Sequence, residues 1–242
     1  MNKIPLLLLP GMMCDQRMFE PQIAALAEVA DIHVGDITNA NSMAEIAQQV
    51  LATAPPQFAL AGLSMGGIVA MEIVRQAPDR VLKLALLDTN PWAELEEVQL
   101  GRGPQMNAVM AHNDGLTQVV SEQMIRRYFY SQKAYDQFAP VCLAMAQDLG
   151  AQVFVRQSQA LRDRIDQQQT LAAFTKPCLI LMGIEDQFCP LDRHERMHEL
   201  MRQATFIGIP RAGHIPTIEQ PEATNAALMQ WLSQAIDTQQ EQ

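Results

Sequence analysis

Short apolar runs alternate with amphipathic segments along most of the chain, and this alternation restricts the possible folds more than any other feature. Each run is bounded by Gly, Pro or polar residues, and a helical spacing of apolar positions follows most of them. Such alternation predicts βαβ units and therefore an α/β fold, a mostly parallel, doubly wound sheet with helices on both faces. The predicted strands cover residues 3–9, 31–34, 58–63, 81–87, 178–183 and 205–209.

The alternation stops between the fourth and fifth predicted strands. Residues 89–176, hereafter the inserted segment, show helical patterns rich in Met, Gln and Arg and no convincing strand. We expect residues 1–88 and 177–242 to form one core, with the inserted segment as a helical lid over the carboxyl ends of the strands, where such sheets place their sites. Residues 239–242 are predicted to form a frayed tail.

Charge and cysteine content limit the partners and the compartment. The 242 residues include 17 Lys and Arg against 27 Asp and Glu, a formal charge of −10. Such a chain repels phosphate backbones and anionic lipids, so neither nucleic acid nor a membrane is expected as a partner. No apolar run approaches the ~20 residues of a transmembrane helix, and the run 4–9 is broken by Pro10-Gly11 before it reaches the length of a secretion signal. Four cysteines without paired spacing favour free thiols and a cytoplasmic location.

The strongest local signal is the G-x-S-x-G pattern Gly62-Leu63-Ser64-Met65-Gly66, which lies between a predicted strand and a predicted helix. A tight strand-to-helix turn strains its central residue, and only very small neighbours two positions away avoid collision. Gly62 and Gly66 meet this need, and the helix dipole favours negative charge beside Ser64. The pattern predicts Ser64 as a nucleophile; the alternative is a connecting Gly-rich turn.

A serine hydroxyl needs a base beside it, and the base needs an acid that fixes its tautomer. His214 follows the last predicted strand at the same end of the sheet as Ser64, and Asp186 follows the strand before it. These two residues are the predicted base and acid. Asp88 and Glu185 are the alternative acids.

An acyl-transfer site also needs two amide N–H groups that hold the oxyanion. One comes from the residue after the nucleophile and the other from the loop after an early strand. Met65 and Met12 occupy these positions. We expect their amides to form an oxyanion hole.

The chain order Ser64, Asp186, His214, together with the elbow at Gly62 and Gly66, resembles the α/β-hydrolase superfamily in its short-chain, lidded, esterase-like branch. The resemblance covers nearly the whole chain except the inserted segment; Pro10-Gly11 departs from the His-Gly of many members. It implies a serine hydrolase that cleaves a small or medium carboxylic ester or thioester through an acyl-enzyme, without metal or organic cofactor.

Two other functions stay open because one fold hosts many chemistries. The same triad could serve C–C bond hydrolysis, lactone hydrolysis or a lyase step on an acidic substrate. A non-catalytic protein could keep the fold and bind a ligand only.

A competing metal motif lies on a predicted helix. His194-Glu195-Arg196-Met197-His198 matches the H-E-x-x-H pattern of zinc proteases, with Glu219 as a conceivable third ligand. The surrounding sequence is polar and Arg-rich, whereas a zinc helix is half-buried. A surface helix is therefore the favoured interpretation.

Two residue types in the inserted segment suggest opposite substrates. Its methionines could line an apolar acyl pocket or simply fill the core; they include Met106, Met110, Met124 and Met145. Arg126 and Arg127 could bind a substrate carboxylate or form a solvated helix face. The sequence favours core methionines and a solvated arginine pair.

Overall fold

The computed structural model describes residues 3–236, so the predicted tail at 239–242 lies outside the described residues. Six strands form one sheet in the spatial order β2-β1-β3-β4-β5-β6, and all neighbouring strands run parallel. The strands are β1 (Ile4–Leu9), β2 (Ala30–Val34), β3 (Phe58–Leu63), β4 (Val81–Leu87), β5 (Cys178–Gly183) and β6 (Thr205–Ile209). The predicted α/β fold with a parallel sheet is confirmed.

Burial explains why these segments become strands. Every residue of β3 and of β5 is buried, as expected for central parallel strands covered on both faces. In β2, at the edge of the sheet, only the first residue is buried and exposure alternates after it. The continuous apolar runs therefore occupy the middle of the sheet.

Within residues 3–236, six α-helices belong to the two core ranges, beside two short 3₁₀ helices (Gln16–Phe19 and Pro78–Arg80). The α-helices are α1 (Glu20–Leu26), α2 (Met43–Thr53), α3 (Met65–Gln76), α9 (Leu191–Leu200), α10 (Pro216–Glu219) and α11 (Pro221–Ser233). The Ser42 hydroxyl accepts a hydrogen bond from the Glu45 amide at 3.3 Å and caps α2, as half of the predicted capping box. The helix that decides the site is α3, because it begins directly after Ser64 and is buried along most of its length.

All the regular secondary structure described in the inserted segment is helical. It contains α4 (Glu96–Ala111), α5 (Gly115–Val119), a π-helical turn (Val120–Met124), a 3₁₀ turn (Ile125–Arg127), α6 (Gln132–Leu149), α7 (Ala151–Arg162) and α8 (Gln168–Ala173). The helical patterns of the sequence predict stretches around residues 104–111, 116–128, 134–150 and 151–163. They therefore miss α8 and place the start of α4 eight residues too late. The division into a core and a lid stays a prediction.

No single helix within residues 3–236 is long and apolar enough to cross a membrane. Together, α6 and α7 are long and apolar enough to span a membrane, but their axes meet at an angle of 94°. Gly150 lies at this corner with φ +83°, a conformation that glycine adopts without strain.

Candidate active site

The turn between β3 and α3 holds Ser64 in a strained backbone conformation, with φ 54° and ψ −118°. A side chain at Gly62 would collide with the backbone of Gly66, and one at Gly66 would collide with the carbonyl of Leu9. Because these backbones approach one another so closely, only glycine fits at positions 62 and 66. Strain of this kind concentrates at functional sites.

The structure brings the three predicted side chains into one hydrogen-bonded chain. His214 Nε2 lies 2.8 Å from Ser64 Oγ, and His214 Nδ1 lies 2.9 Å from Asp186 Oδ2. With the proton on Nδ1, the imidazole donates to Asp186 and accepts from the Ser64 hydroxyl. His214 and Asp186 are buried, so water competes little for these bonds.

Asp186 is held in the form that such an arrangement needs. Burial favours its neutral form, but the opposing charge of His214, the hydrogen bond from His214 and the amides of Phe188 and Cys189 outweigh it and lower the pKa of Asp186. The Phe188 amide donates to Asp186 Oδ1 at 2.7 Å. Asp186 is therefore a carboxylate at neutral pH.

The two alternative acids bond to backbone amides. Asp88 Oδ1 accepts from the Gly183 amide at 2.8 Å, and Glu185 accepts from the Ala212 amide at 3.0 Å. Burial, followed by the nearby charge of Asp186, raises the pKa of Asp88 well above its ordinary value. The surroundings of Asp88 therefore favour its neutral form.

The two predicted oxyanion donors face the same cavity as Ser64. Within residues 3–236, neither the Met12 amide nor the Met65 amide donates a hydrogen bond to another residue. The amides on either side of Met12 are occupied, since Gly11 donates to Met18 Sδ at 3.2 Å and Met13 donates to Gln157 Oε1 at 2.9 Å. The loop thus fixes its neighbours and leaves the Met12 N–H available.

Two aromatic rings that the sequence analysis did not single out enclose His214. The Tyr128 ring stacks on the imidazole with centroids 5.7 Å apart, and the Phe188 ring lies 4.9 Å away. The Tyr128 carbonyl also accepts a hydrogen bond from the His214 amide at 2.7 Å. No local sequence signal marks these rings, because Tyr128 belongs to the inserted segment and reaches His214 only through the fold.

Glu219 links the loop that carries His214 to the inserted segment through two hydrogen bonds. Its carboxylate accepts from the Tyr130 amide at 3.0 Å and from the Gly213 amide at 2.6 Å. Burial raises the pKa of Glu219, and these two amides partly offset that effect. The residue considered as a third zinc ligand is thus occupied in holding the residue next to His214.

The H-E-x-x-H motif does lie on a helix, α9, but its first histidine faces the protein interior. His194 is fully buried, its ring stacks on Phe206, and burial lowers its pKa to about 4. The His198 ring also contacts Phe206, with centroids 5.8 Å apart. The helix still lies at the surface, since Asp192, Glu195 and Glu199 are exposed, and its buried residues are His194 and Met197, whereas Leu191 is half exposed.

Three other side chains with metal-ligand chemistry lie within reach of one another in the described residues, namely Asp186, Cys189 and His214. Asp186 and His214 already bond to each other. Burial raises the pKa of the Cys189 thiol, which disfavours the thiolate that a metal binds. These three side chains are therefore better suited to proton transfer through His214 than to binding a metal ion.

A cavity of about 250 Å³ opens beside Ser64 and His214. Four methionines line it, Met12, Met18, Met65 and Met124, whereas Met145 is fully buried in the core and Met110 is half exposed. Arg127 also lines the cavity, but Arg126 faces a separate surface groove. Thus only some of the methionines and only one of the two arginines considered in the sequence analysis line the cavity.

The sequence profile of the alpha/beta hydrolase family matches residues 6–227. The chain belongs to this family. Its predicted membership is thereby confirmed.

Known relatives of the chain are hydrolases. A pimeloyl-[acyl-carrier protein] methyl ester esterase of Pectobacterium carotovorum is 27% identical over 235 residues, which cover 90% of each chain. The solved structure of a thermophilic esterase from Thermogutta terrifontis is 27% identical, with a TM-score of 0.82, and covers 96% of this chain and 90% of that one. An enol-lactonase from Burkholderia xenovorans (19% identical, TM-score 0.80, 96% and 93% covered) shares the fold. The chain is an α/β hydrolase that acts on ester bonds.

Proposed function

We propose that the protein is a serine hydrolase that cleaves a small or medium carboxylic ester or thioester through an acyl-enzyme. The observation that carries this proposal is the hydrogen-bonded chain from Ser64 through His214 to Asp186. Further support comes from the strained turn that carries Ser64 and from the Met12 and Met65 amides, which have no other partner within residues 3–236. Nucleophile, base, acid and oxyanion donors would then all be present at one site.

The reaction follows from these positions. Ser64 Oγ attacks the carbonyl carbon while His214 Nε2 takes the hydroxyl proton, and the Asp186 carboxylate stabilises the imidazolium that forms. The Met12 and Met65 amides donate to the oxyanion. His214 then gives its proton to the leaving alcohol or thiol. A water molecule, deprotonated by His214, attacks the acyl-enzyme and releases the acid and free Ser64.

The size of the substrate is inferred from the cavity. A volume of about 250 Å³ suits a small acyl or alcohol group. Relatives are named as pimeloyl-[acyl-carrier protein] methyl ester esterases, which agrees with an ester substrate here. Thioesters fit the same chemistry.

A cytoplasmic location belongs to the same proposal. All four cysteines, Cys14, Cys142, Cys178 and Cys189, are buried free thiols, as suits a reducing compartment. The inserted segment would act as the lid of the site, since several of its residues line the cavity.

The test pairs covalent labelling with turnover. A fluorophosphonate probe should label the parent protein at Ser64, and p-nitrophenyl acetate and butyrate should be hydrolysed. Ser64→Ala should remove the label and lower kcat by about 10³-fold or more, with an unchanged circular dichroism spectrum. An unlabelled parent protein, or a variant within tenfold of the parent activity, would contradict the proposal and favour a protein that only binds a ligand.

A further inference from the structure

The cavity beside Ser64 is lined by more positive than negative charge. Four arginines line it, Arg102, Arg127, Arg164 and Arg193, against one acidic residue, Glu94. The chain as a whole has a formal charge of −10, so its composition does not account for this excess. The positive lining is a local property of the site.

Glu94 neutralises only part of this charge. Its two carboxylate oxygens bind two different arginines, Arg102 at 2.7 Å and Arg164 at 2.8 Å. The side chains of Glu94 and Arg164 are almost fully buried, with 6% and 7% exposed. One buried carboxylate between two guanidinium groups leaves one positive charge without a counter-charge in the cluster.

Arg193 adds a third cation next to this pair. Its guanidinium lies over the Trp92 ring, 4.1 Å from the centroid, and the Trp92 carbonyl accepts from Arg164 Nε at 2.9 Å. The acidic group nearest to Arg193 is the exposed Asp192, whose oxygen is 3.8 Å from Nε. Within residues 3–236, Arg164 Nη2 and both terminal nitrogens of Arg193 have no hydrogen-bond acceptor, so N–H groups remain for a ligand.

We propose that the substrate carries a carboxylate in addition to its scissile ester, and that this carboxylate binds at Arg164 and Arg193 inside the cavity. This inference rests on the proposed function, because it places the ester carbonyl at Ser64. A planar guanidinium fork matches a carboxylate with two parallel hydrogen bonds, and both become stronger where water is scarce. The substrate class is therefore a half-ester of a small dicarboxylic acid, or an ester of a carboxylate-bearing alcohol.

Binding to an inactive protein tests this inference independently of turnover. The probes are monomethyl glutarate and its neutral analogue, in which –CONH₂ replaces the carboxylate. The protein is Ser64→Ala, which keeps all arginines. We expect calorimetry to show that the anion binds at least about tenfold more tightly than the amide, because hydrogen bonds to charged groups are the stronger ones. Equal affinities, or no measurable binding of the anion, would overturn the inference.

Two variants locate the site of the carboxylate. Arg193→Gln in the same background should abolish most of the preference for the anion. Arg196→Gln is the matched control, since it removes the same charge from the same helix at a residue that pairs with Glu199 outside the cavity. Arg196→Gln should keep the preference. An equal loss in both variants would show a general charge effect and contradict a specific site.

Turnover separates this inference from the proposed function. In the protein with Ser64 intact, the p-nitrophenyl half-ester of glutarate should have a higher kcat/KM than p-nitrophenyl valerate, and Arg193→Gln should lower the ratio of the two values about tenfold. Hydrolysis of both esters at equal kcat/KM would refute the carboxylate site and leave the serine hydrolase intact. Tight anion binding without hydrolysis of either ester would support the site and refute the proposed function.

Discussion

Asp88 and Asp186 follow the neighbouring strands β4 and β5, and their surroundings favour different protonation states. Asp186 receives hydrogen bonds from His214 and from the Phe188 amide, which favour the carboxylate. Asp88 is fully buried with a single bond from Gly183, and its second oxygen has no partner within residues 3–236. Two identical side chains thus favour different protonation states because their burial and their hydrogen-bond partners differ.

We expect Asp186→Asn to lower kcat by about 10⁴-fold: the single Asn oxygen is taken by the Phe188 amide, so the NH₂ group faces Nδ1 and favours the wrong imidazole tautomer. Asp88→Asn keeps an oxygen for the Gly183 amide and should stay within tenfold of the parent. The measurement is kcat on p-nitrophenyl butyrate for both variants. A larger loss in Asp88→Asn would assign the acid to Asp88.

Among the helices of the inserted segment, two methionines have opposite surroundings. Met124 lines the cavity, whereas Met145 in α6 is fully buried and its sulfur accepts from the Asp15 amide at 3.4 Å. Met145 thus fills the core, which is the interpretation that the sequence favours, whereas Met124 has the position that the acyl-pocket alternative requires. Met124 faces the cavity, and the Met145 sulfur contacts the loop after β1.

Truncation should separate these roles. Met124→Ala enlarges the cavity, so on a series of neutral p-nitrophenyl esters from acetyl to octanoyl the highest kcat/KM should move to a longer chain, at ~0.8 kcal/mol for each buried methylene. Met145→Ala should leave the chain-length optimum in place and lower the free energy of unfolding by about 2–5 kcal/mol. The same shift in both variants would mean that the effect does not arise from the cavity lining.

Burial and strand ends explain how much of the fold and site could be predicted. Residues 58–63 and 178–183 were predicted with the bounds of β3 and β5, because a strand covered on both faces is one continuous apolar run. Ser64 and Asp186 were identifiable as candidates because each follows one of these two runs, and His214 because it follows the last predicted strand at the same end of the sheet. The cation cluster around Glu94 was not, since its members come from α4, from the loop after α7 and from α9, and no local spacing links them.

For the whole molecule, the buried Asp88 makes stability depend on pH. Burial and the Asp186 charge raise the pKa of Asp88 in the folded state above that in the unfolded chain, which is about 4. The folded state therefore binds this proton more tightly, and the contribution of Asp88 to stability, complete below pH 4, falls as the pH rises toward the folded pKa.

Asp88→Asn has no such titration. Compared with the parent, the variant should gain free energy of unfolding as the pH increases from 4 to 7, which urea denaturation at several pH values would measure. Asp186→Asn is the control with the opposite sign, because the lowered pKa of Asp186 gives it a contribution that is present at neutral pH and lost in acid. A difference between Asp88→Asn and the parent that stays constant over this range would contradict the buried neutral acid.

The hydrogen bonds that join His214 to the inserted segment also determine what holds the imidazole in place. The Tyr128 carbonyl holds the His214 amide, and Glu219 joins Tyr130 to Gly213. A displacement of residues 128–130 would therefore displace the histidine backbone relative to Ser64. The base thus has two anchors, one in the core and one in the inserted segment, and its position depends on both.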